Sequence, residues 1–254
     1  MVVVFIHGLG SDRQYMLDLF GPVLAATFPD ARVIAPDVRA HGASSLIGAP
    51  ADFAIDALAE EVAAEVDAGT TGSDEPVALV GVSMGAAIAL RIALSRRLPV
   101  ERALFVRPSF TDRSLPENLR VFPVIGELLH RSGPVEGQAR FRETLPYRSI
   151  LDASTLGADG LLTQFRAPAA AARAIRLVEI PRNRAFSSEA ELAGIGLPTA
   201  VIGAPRDPVH PFEIAEQWAG GLGSPLTAIP ARDDGRPAQT AALRAAFEDW
   251  LTTR

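Results

Sequence analysis

The chain has 254 residues, 48% of them hydrophobic, which is enough to build one large domain around a sizeable core. Its net charge of −6, with both signs interspersed, argues against a nucleic-acid-binding surface. The absence of cysteine excludes disulfides, thiolate–zinc sites and a cysteine nucleophile, and no apolar run reaches the roughly 18 to 20 residues that span a bilayer.

Short apolar runs alternate with amphipathic segments along most of the chain. Such runs are typical of strands buried on both faces of a parallel sheet, and the segments between them are typical of helices that cover it. Strands are predicted at residues 2–6, 32–35, 77–80, 103–106, 199–202 and 226–229. Helices are predicted at residues 15–27, 53–66, 84–96, 212–219 and 238–251.

The alternation breaks between residues 108 and 195, which hold many Arg and Pro residues and short helical pieces such as residues 124–130. Irregular segments this long are uncommon unless they are functional. The sequence therefore predicts an α/β fold with a mostly parallel central sheet, helices on both faces and a helical cap insertion. Residues 1–107 and 196–254 would form the core, and residues 108–195 the cap.

A candidate nucleophile lies between the third predicted strand and the helix after it. There the chain reads GVSMG, with Ser83 at the centre of a G-x-S-x-G pattern. In this context the pattern predicts a sharp strand-to-helix turn that exposes the serine hydroxyl. Small residues on both sides are needed because strand and helix nearly touch, and the positive end of the helix favours developing negative charge.

Three segments together resemble the α/β-hydrolase fold family, in its cap-bearing esterase, lactonase and haloperoxidase-like branch. They are GVSMG, the HGLG that starts at His7, and the DVRAHGAS of residues 37–44. The resemblance covers nearly the whole chain. It implies an oxyanion hole formed by the Met84 and Leu9 N–H groups, and it places the catalytic acid at Asp207 in GAPRDPVHP.

The sequence differs from the pattern of this family in two ways. Members of the family usually carry two strands before the His-Gly strand, and this sequence lacks them, so an open sheet edge favours a homodimer. The family also places its base in the loop after the last strand, which here reads ARDDGRP from Ala231 to Pro237 and contains no histidine. The chain order Ser, Asp, His can then be met only by His210, three residues after Asp207.

The remaining candidates have simpler interpretations. His7 and His41 are expected to brace their turns, and His130 to be solvated or packed within the cap. Asp233 and Asp234 occupy the expected position of the base, but an unperturbed carboxylate is a poor base toward serine, so they are expected to solvate the loop.

Arginine raises a separate question about the substrate. Arg107 ends the strand before the cap and Arg206 precedes Asp207, and a guanidinium binds carboxylates in a forked geometry. An acidic substrate is one interpretation. The other is that Arg206 simply pairs with a nearby acid.

Three functions remain open at this point. The first is a serine hydrolase of a small ester, thioester or lactone, with Ser83, Asp207 and His210 as its catalytic residues. The second is a non-hydrolytic lyase or cyclase that uses the oxyanion hole, and the third is a binding protein that has lost activity. We expect a small-molecule substrate and no cofactor, metal, nucleic-acid or membrane partner. Because the N-terminal residues lack a basic leader, we also expect a cytoplasmic location.

Overall fold

The central element of the fold is a single six-stranded parallel sheet. The computed structural model describes residues 1–70 and 75–253. Its strands follow the order β2-β1-β3-β4-β5-β6, with every neighbouring pair parallel. They are β1 (Val2–Ile6), β2 (Arg32–Ile34), β3 (Val77–Val82), β4 (Val100–Val106), β5 (Thr199–Gly203) and β6 (Leu226–Ala228). The predicted fold class is therefore confirmed.

Helices follow the strands in the alternation that the sequence indicates. The helices are α1 (Arg13–Thr27), α2 (Ile55–Gly69), α3 (Met84–Ser95), α4 (Val121–Arg142), α5 (Leu145–Ala153), α6 (Thr155–Arg166), α7 (Ile175–Glu179), α8 (Glu189–Ala193), α9 (Phe212–Leu222) and α10 (Arg236–Thr252). Each helix predicted in the core is present, with ends that differ by a few residues because capping and packing set the ends.

Two cores form because successive strand side chains point to opposite faces. Val4 and Ile6 of β1 face a core with α2, α3 and α9, whereas Val3 and Phe5 face a core with α1 and α10. All five β1 residues are buried, since both faces are covered. This explains why the strand sequences are continuously apolar rather than alternating.

Five helices lie between β4 and β5, in a segment that we call the insertion (residues 108–195). The sequence predicts short helical pieces here, such as residues 124–130, and these residues lie in the first piece of α4, which spans Val121–Arg142 and is interrupted by a kink at Gly133, whose φ is 70°. Pro134 follows the kink, and a proline there removes a backbone donor. Helices α4 to α7 pack on one another through buried Leu and Phe side chains. The boundaries of the insertion as a separate unit stay a prediction.

The two edges of the sheet are short. Edge strands β2 and β6 have three residues each, and Arg32 on β2 is tied to Glu75 and to the Gly69 carbonyl. Short, charged edges resist pairing with other chains, so the structure supplies no added reason for a dimer, which stays a prediction. Within the described ranges, no helix is both long and apolar enough to cross a membrane.

Candidate active site

The carboxyl ends of five strands meet at one pocket with a volume of about 400 Å³. In a parallel sheet these ends lie at the same edge, where ligands usually bind. The pocket is lined after β1 by Gly8 to Ser11, after β3 by Ser83, after β4 by Arg107, after β5 by Asp207 and His210, and after β6 by Arg232. Helices α4 and α6 of the insertion supply another part of its wall, including Phe122, Leu161 and Gln164.

Ser83 lies at the apex of the turn between β3 and α3 in a strained conformation. Its φ of 57° and ψ of −113° fall where non-glycine residues are uncommon. The flanking glycines allow the close approach, since a Cβ on Gly81 would overlap the Gly85 carbonyl, and one on Gly85 would overlap the Ile6 carbonyl. The local sequence thus produces the sharp strand-to-helix turn that the G-x-S-x-G pattern predicts, and Ser83, although largely buried, lines the pocket.

A chain of hydrogen bonds joins Asp207, His210 and Ser83. The His210 Nδ1 lies 2.9 Å from Asp207 Oδ2, and His210 Nε2 lies 2.9 Å from Ser83 Oγ. Asp207 Oδ1 also accepts from the Val209 and His210 N–H groups at 3.1 Å each, which fixes the turn. Because the carboxylate can only accept, Nδ1 carries the hydrogen, and Nε2 is left to accept from the serine hydroxyl.

The electrostatics around these three residues favour an ionised Asp207 and a neutral His210. Burial alone would raise the pKa of Asp207, but His210 and the Arg107 guanidinium, 3.3 Å from Oδ2, hold it well below its usual range. Burial lowers the pKa of His210 below 6.5, and Asp207 offsets this only in part. A neutral imidazole is the form that accepts a proton.

A second serine touches the hydroxyl of Ser83. Ser109, fully buried after β4, places its Oγ 3.0 Å from Ser83 Oγ. If the only hydrogen of Ser83 points to His210, then Ser109 must donate to Ser83. Sequence reasoning missed this residue, because a serine in an irregular loop carries no pattern that identifies it.

The two residues predicted to supply the oxyanion donors are both close to Ser83 in the chain or in space. Met84 is the first residue of α3, and Gly8, directly before Leu9, packs against Ser83. Among the described residues, neither the Leu9 nor the Met84 N–H group has a hydrogen-bond acceptor. Both backbone donors therefore remain free for a ligand.

Among the described residues, none of the other three histidines makes a hydrogen bond to Ser83 Oγ. His7 accepts from the Val38 N–H at Nε2, at 3.1 Å, and its Nδ1 donates to the Gly8 carbonyl. His41 donates to the Arg39 carbonyl and packs 5.0 Å from the His7 ring. Both side chains are buried, whereas His130 on α4 is exposed.

Three further residues that the sequence suggested, Asp233, Asp234 and Arg206, bond to protein groups and are not part of the pocket lining. Asp233 accepts from the Ser154 hydroxyl and from the Leu156 N–H, and Asp234 pairs with Arg206. Neither aspartate lines the pocket. Arg206 thus has a protein partner, as does Arg107, which pairs with Asp207. Within residues 1–70 and 75–253, no group of three or more potential ligands is arranged to hold a metal ion.

The sequence model of the alpha/beta hydrolase family matches residues 3–243, so the chain belongs to this family. Its relatives are esterases and other hydrolases with the same fold. The chain is 34% identical over 131 residues to the pimeloyl-[acyl-carrier protein] methyl ester esterase of Neisseria meningitidis serogroup B (strain H44/76). That match covers 50% of this chain and 45% of the relative, so the chain spans less than half the length of that curated protein.

Solved structures share the fold over nearly the full length. A thermophilic esterase from Thermogutta terrifontis, with malate bound, has a TM-score of 0.71 at 21% identity and matches 99% of this chain and 89% of its own. A hydrolase from Pseudomonas aeruginosa PA01 has a TM-score of 0.71 at 22% identity, over 99% and 90% of the two chains. At these identities the likeness establishes the fold alone.

Proposed function

We propose that the chain is a serine hydrolase of small esters, thioesters or lactones that acts through an acyl-enzyme on Ser83. The observation that carries the proposal is the unbroken chain from Asp207 through His210 to Ser83, with two successive contacts of 2.9 Å. A nucleophile within reach of a base, which a third group orients, is the arrangement that serine acyl transfer requires. His210 takes the role that the loop after β6 cannot supply.

The proposed reaction proceeds in two halves. Ser83 Oγ attacks the carbonyl carbon while its proton passes to His210 Nε2, and the Asp207 charge stabilises the imidazolium that forms. Collapse of the tetrahedral intermediate breaks the bond to the alcohol or thiol, which leaves with that proton. Water then attacks the acyl-enzyme, gives a proton to His210 and releases the acid, and the proton returns to Ser83.

The oxyanion in both halves is assigned to the Leu9 and Met84 N–H groups. Their lack of protein acceptors supports this role, because a backbone donor beside a pocket is costly to leave unpaired unless water or a ligand uses it. We further propose that the insertion acts as a cap over Ser83. Its Phe122 and Leu161 line the pocket opposite the sheet and supply an apolar surface for a short acyl chain.

The esterase activity named for the Neisseria protein is compatible with this proposal, and the same reaction class is proposed here for this chain. No contact in the site favours a lyase, a cyclase or an inactive binding protein. An intact proton path to Ser83 is of no use to a binding protein, which is why hydrolysis is the better interpretation.

The test compares variants on p-nitrophenyl acetate and p-nitrophenyl butyrate. Ser83→Ala should abolish hydrolysis, and His210→Ala should lower kcat by about a thousandfold or more, since triad members act as a unit. His130→Ala is the matched control, because that imidazole is exposed on α4, and it should leave kcat unchanged.

A fluorophosphonate probe provides a second measurement. It should label the wild type at Ser83 and leave His210→Ala nearly unlabelled. Equal ester turnover by the wild type and Ser83→Ala would refute the hydrolase, and product formation from another substrate by Ser83→Ala would favour the lyase or cyclase.

A further inference from the structure

Several polar groups in the pocket have no part in the proposed hydrolysis. Arg232 and Arg236 line the pocket from the end of the sheet, and Gln164 lines it from α6. None of these three side chains belongs to the hydrogen-bond chain of Asp207, His210 and Ser83. Their chemistry bears on what the pocket binds.

Arg232 is a partly buried cation without a direct partner. Among the described residues its guanidinium makes no hydrogen bond and no ion pair within 4.0 Å. Its neighbours in the chain, Asp233 and Asp234, are committed to Ser154 and Arg206. Burial lowers the pKa of Arg232, the nearby positive charge of Arg107 adds to this, and Asp207 offsets the two effects only in part, so a bound anion would stabilise the cation further.

Gln164 faces the same pocket from the insertion. Its side chain is 95% buried, at 5% relative exposure, and its Oε1 has no hydrogen-bond partner. It packs on Gly10, where any Cβ would overlap the amide group, so the glycine makes room for it. The unpartnered Oε1 is an acceptor, so it needs a donor from water or from another part of a ligand and cannot be satisfied by a carboxylate. Its Nε2 supplies two N–H donors.

The charge of the pocket contrasts with that of the whole chain. The charged residues of the lining are three arginines, Arg107, Arg232 and Arg236, and one carboxylate, Asp207. Asp207 is paired directly with Arg107 and His210, so it offsets the charge of Arg232 only in part and without an ion pair. The chain as a whole carries a net charge of −6. A positive pocket in a negative protein attracts an anionic ligand rather than a neutral one.

From these contacts we infer that Arg232, with the Gln164 amide, binds a carboxylate of the substrate at a distance from the ester that is cleaved. The preferred substrates are then half-esters or half-thioesters of short dicarboxylic acids. The planar guanidinium matches a carboxylate in a forked pair, and the amide supplies a further donor. The substrate class rests on the proposed function, but binding of the carboxylate does not.

Calorimetric titration of Ser83→Ala, which cannot turn over the ligand by the proposed route, measures binding alone. Monomethyl glutarate should bind about tenfold to a hundredfold tighter than dimethyl glutarate, the range expected for a hydrogen bond to a charged group. Adding Arg232→Gln should abolish this preference, and Arg232→Lys should retain part of it. Arg148→Gln is the matched control, because Arg148 is exposed and lies outside the pocket lining.

Each result decides the inference. Equal affinity for the two esters in Ser83→Ala overturns it whether or not Arg232→Gln folds, and so does a preference that survives Arg232→Gln in a folded protein. Tighter binding of methyl phosphate than of monomethyl glutarate overturns the assignment to a carboxylate. A preference that is lost in Arg232→Gln and kept in Arg148→Gln supports it.

A turnover assay separates this inference from the proposed function. The wild type is given mono-p-nitrophenyl glutarate and p-nitrophenyl butyrate, and the ratio of kcat/KM values is compared with that of Arg232→Gln. If the wild type hydrolyses both esters without preferring the anionic glutarate ester, the carboxylate site is overturned and the proposed hydrolase activity is supported. Arg232-dependent binding without hydrolysis of either ester supports the carboxylate site and refutes the hydrolase.

Discussion

The hydroxyl of Ser109 lies in contact with the proposed nucleophile, and its direction follows from counting hydrogens. Ser83 Oγ touches both His210 Nε2 and Ser109 Oγ, and it has one hydrogen to give. Ser109 therefore donates, and this bond strengthens as negative charge builds on Ser83 Oγ during attack. We therefore expect Ser109, which is not part of the pocket lining, to position and stabilise the proposed nucleophile.

Replacing Ser109 by alanine should thus slow the reaction without disturbing the fold. Loss of one neutral hydrogen bond predicts that kcat/KM and the rate of fluorophosphonate labelling fall together by about threefold to tenfold. Ser154→Ala is the matched control, since Ser154 is another buried serine whose hydroxyl bonds Asp233. An unchanged labelling rate in Ser109→Ala would show that the contact has no influence on Ser83.

The pH profile of hydrolysis depends on the environment of His210. Burial lowers the pKa of this imidazole from 6.5, and only the neutral form accepts the serine proton. Activity should therefore persist as the pH falls through 6.5 and decline only below it, while Asp207, whose pKa is held far lower, stays ionised. The acid limb of kcat/KM against pH measures this midpoint, and a midpoint above 6.5 would contradict the prediction.

At the scale of the elements, the core could be predicted from sequence far better than the insertion. Apolar runs such as that of β1 have one stable placement, because both faces of a parallel sheet are covered. In the insertion, Gly133 and Pro134 interrupt α4 as their local preference predicts, but a second helical piece follows at an angle and packs on α6, and this packing is not visible in the sequence. Where such helical pieces lie depends on contacts between segments that are distant in sequence.

The residues of the site also fall into those that could be predicted from sequence and those that could not. Ser83 could be predicted because the strand, turn and helix around it are local in sequence, and Asp207 and His210 share one turn. Ser109, Gln164 and Arg232 could not be predicted, since they reach the pocket from three separate segments, and their side-chain directions depend on packing. The order of residues made His210 the candidate base, but its 2.9 Å contact with Ser83 Oγ depends on how the turn after β5 is folded.

The junction of β3, α3 and β1 supplies a prediction about stability. A Cβ on Gly85 would overlap the Ile6 carbonyl oxygen and come 2.8 Å from that of His7, where backbone atoms cannot move aside cheaply. Gly85→Ala should therefore lower the free energy of unfolding by about 3 kcal/mol or more, measured by urea denaturation.

Gly220→Ala is the matched control for this prediction. Gly220 lies within α9, and nothing is within 4 Å of the position of its Cβ. Alanine is favoured over glycine inside a helix, so this variant should gain about 0.5 to 1 kcal/mol. Equal stabilities for the two variants would show that the close approach at Gly85 does not limit the fold.

At the scale of the whole molecule, folding makes three histidine side chains harder to protonate than they are in the unfolded chain. Burial lowers the pKa of His7, His41 and His210, and it lowers that of His41 well below 6.5, with the His7 and Arg176 charges adding to the effect. The unfolded chain releases these histidines to water, where each binds a proton below about 6.5. Acid therefore favours the unfolded state.

The sign of the resulting prediction follows from proton linkage. Below pH 6.5 the unfolded state binds more protons than the folded state, so the free energy of unfolding should fall as the pH falls from 7.5 to 5.5. Each histidine contributes up to about 1.4 kcal/mol per pH unit within its window. His41→Asn should reduce this dependence, and His130→Asn should not, since His130 is exposed in the folded chain. Urea denaturation at both pH values measures the slopes, and equal slopes in the wild type and His41→Asn would show that burial of His41 is not what links stability to pH.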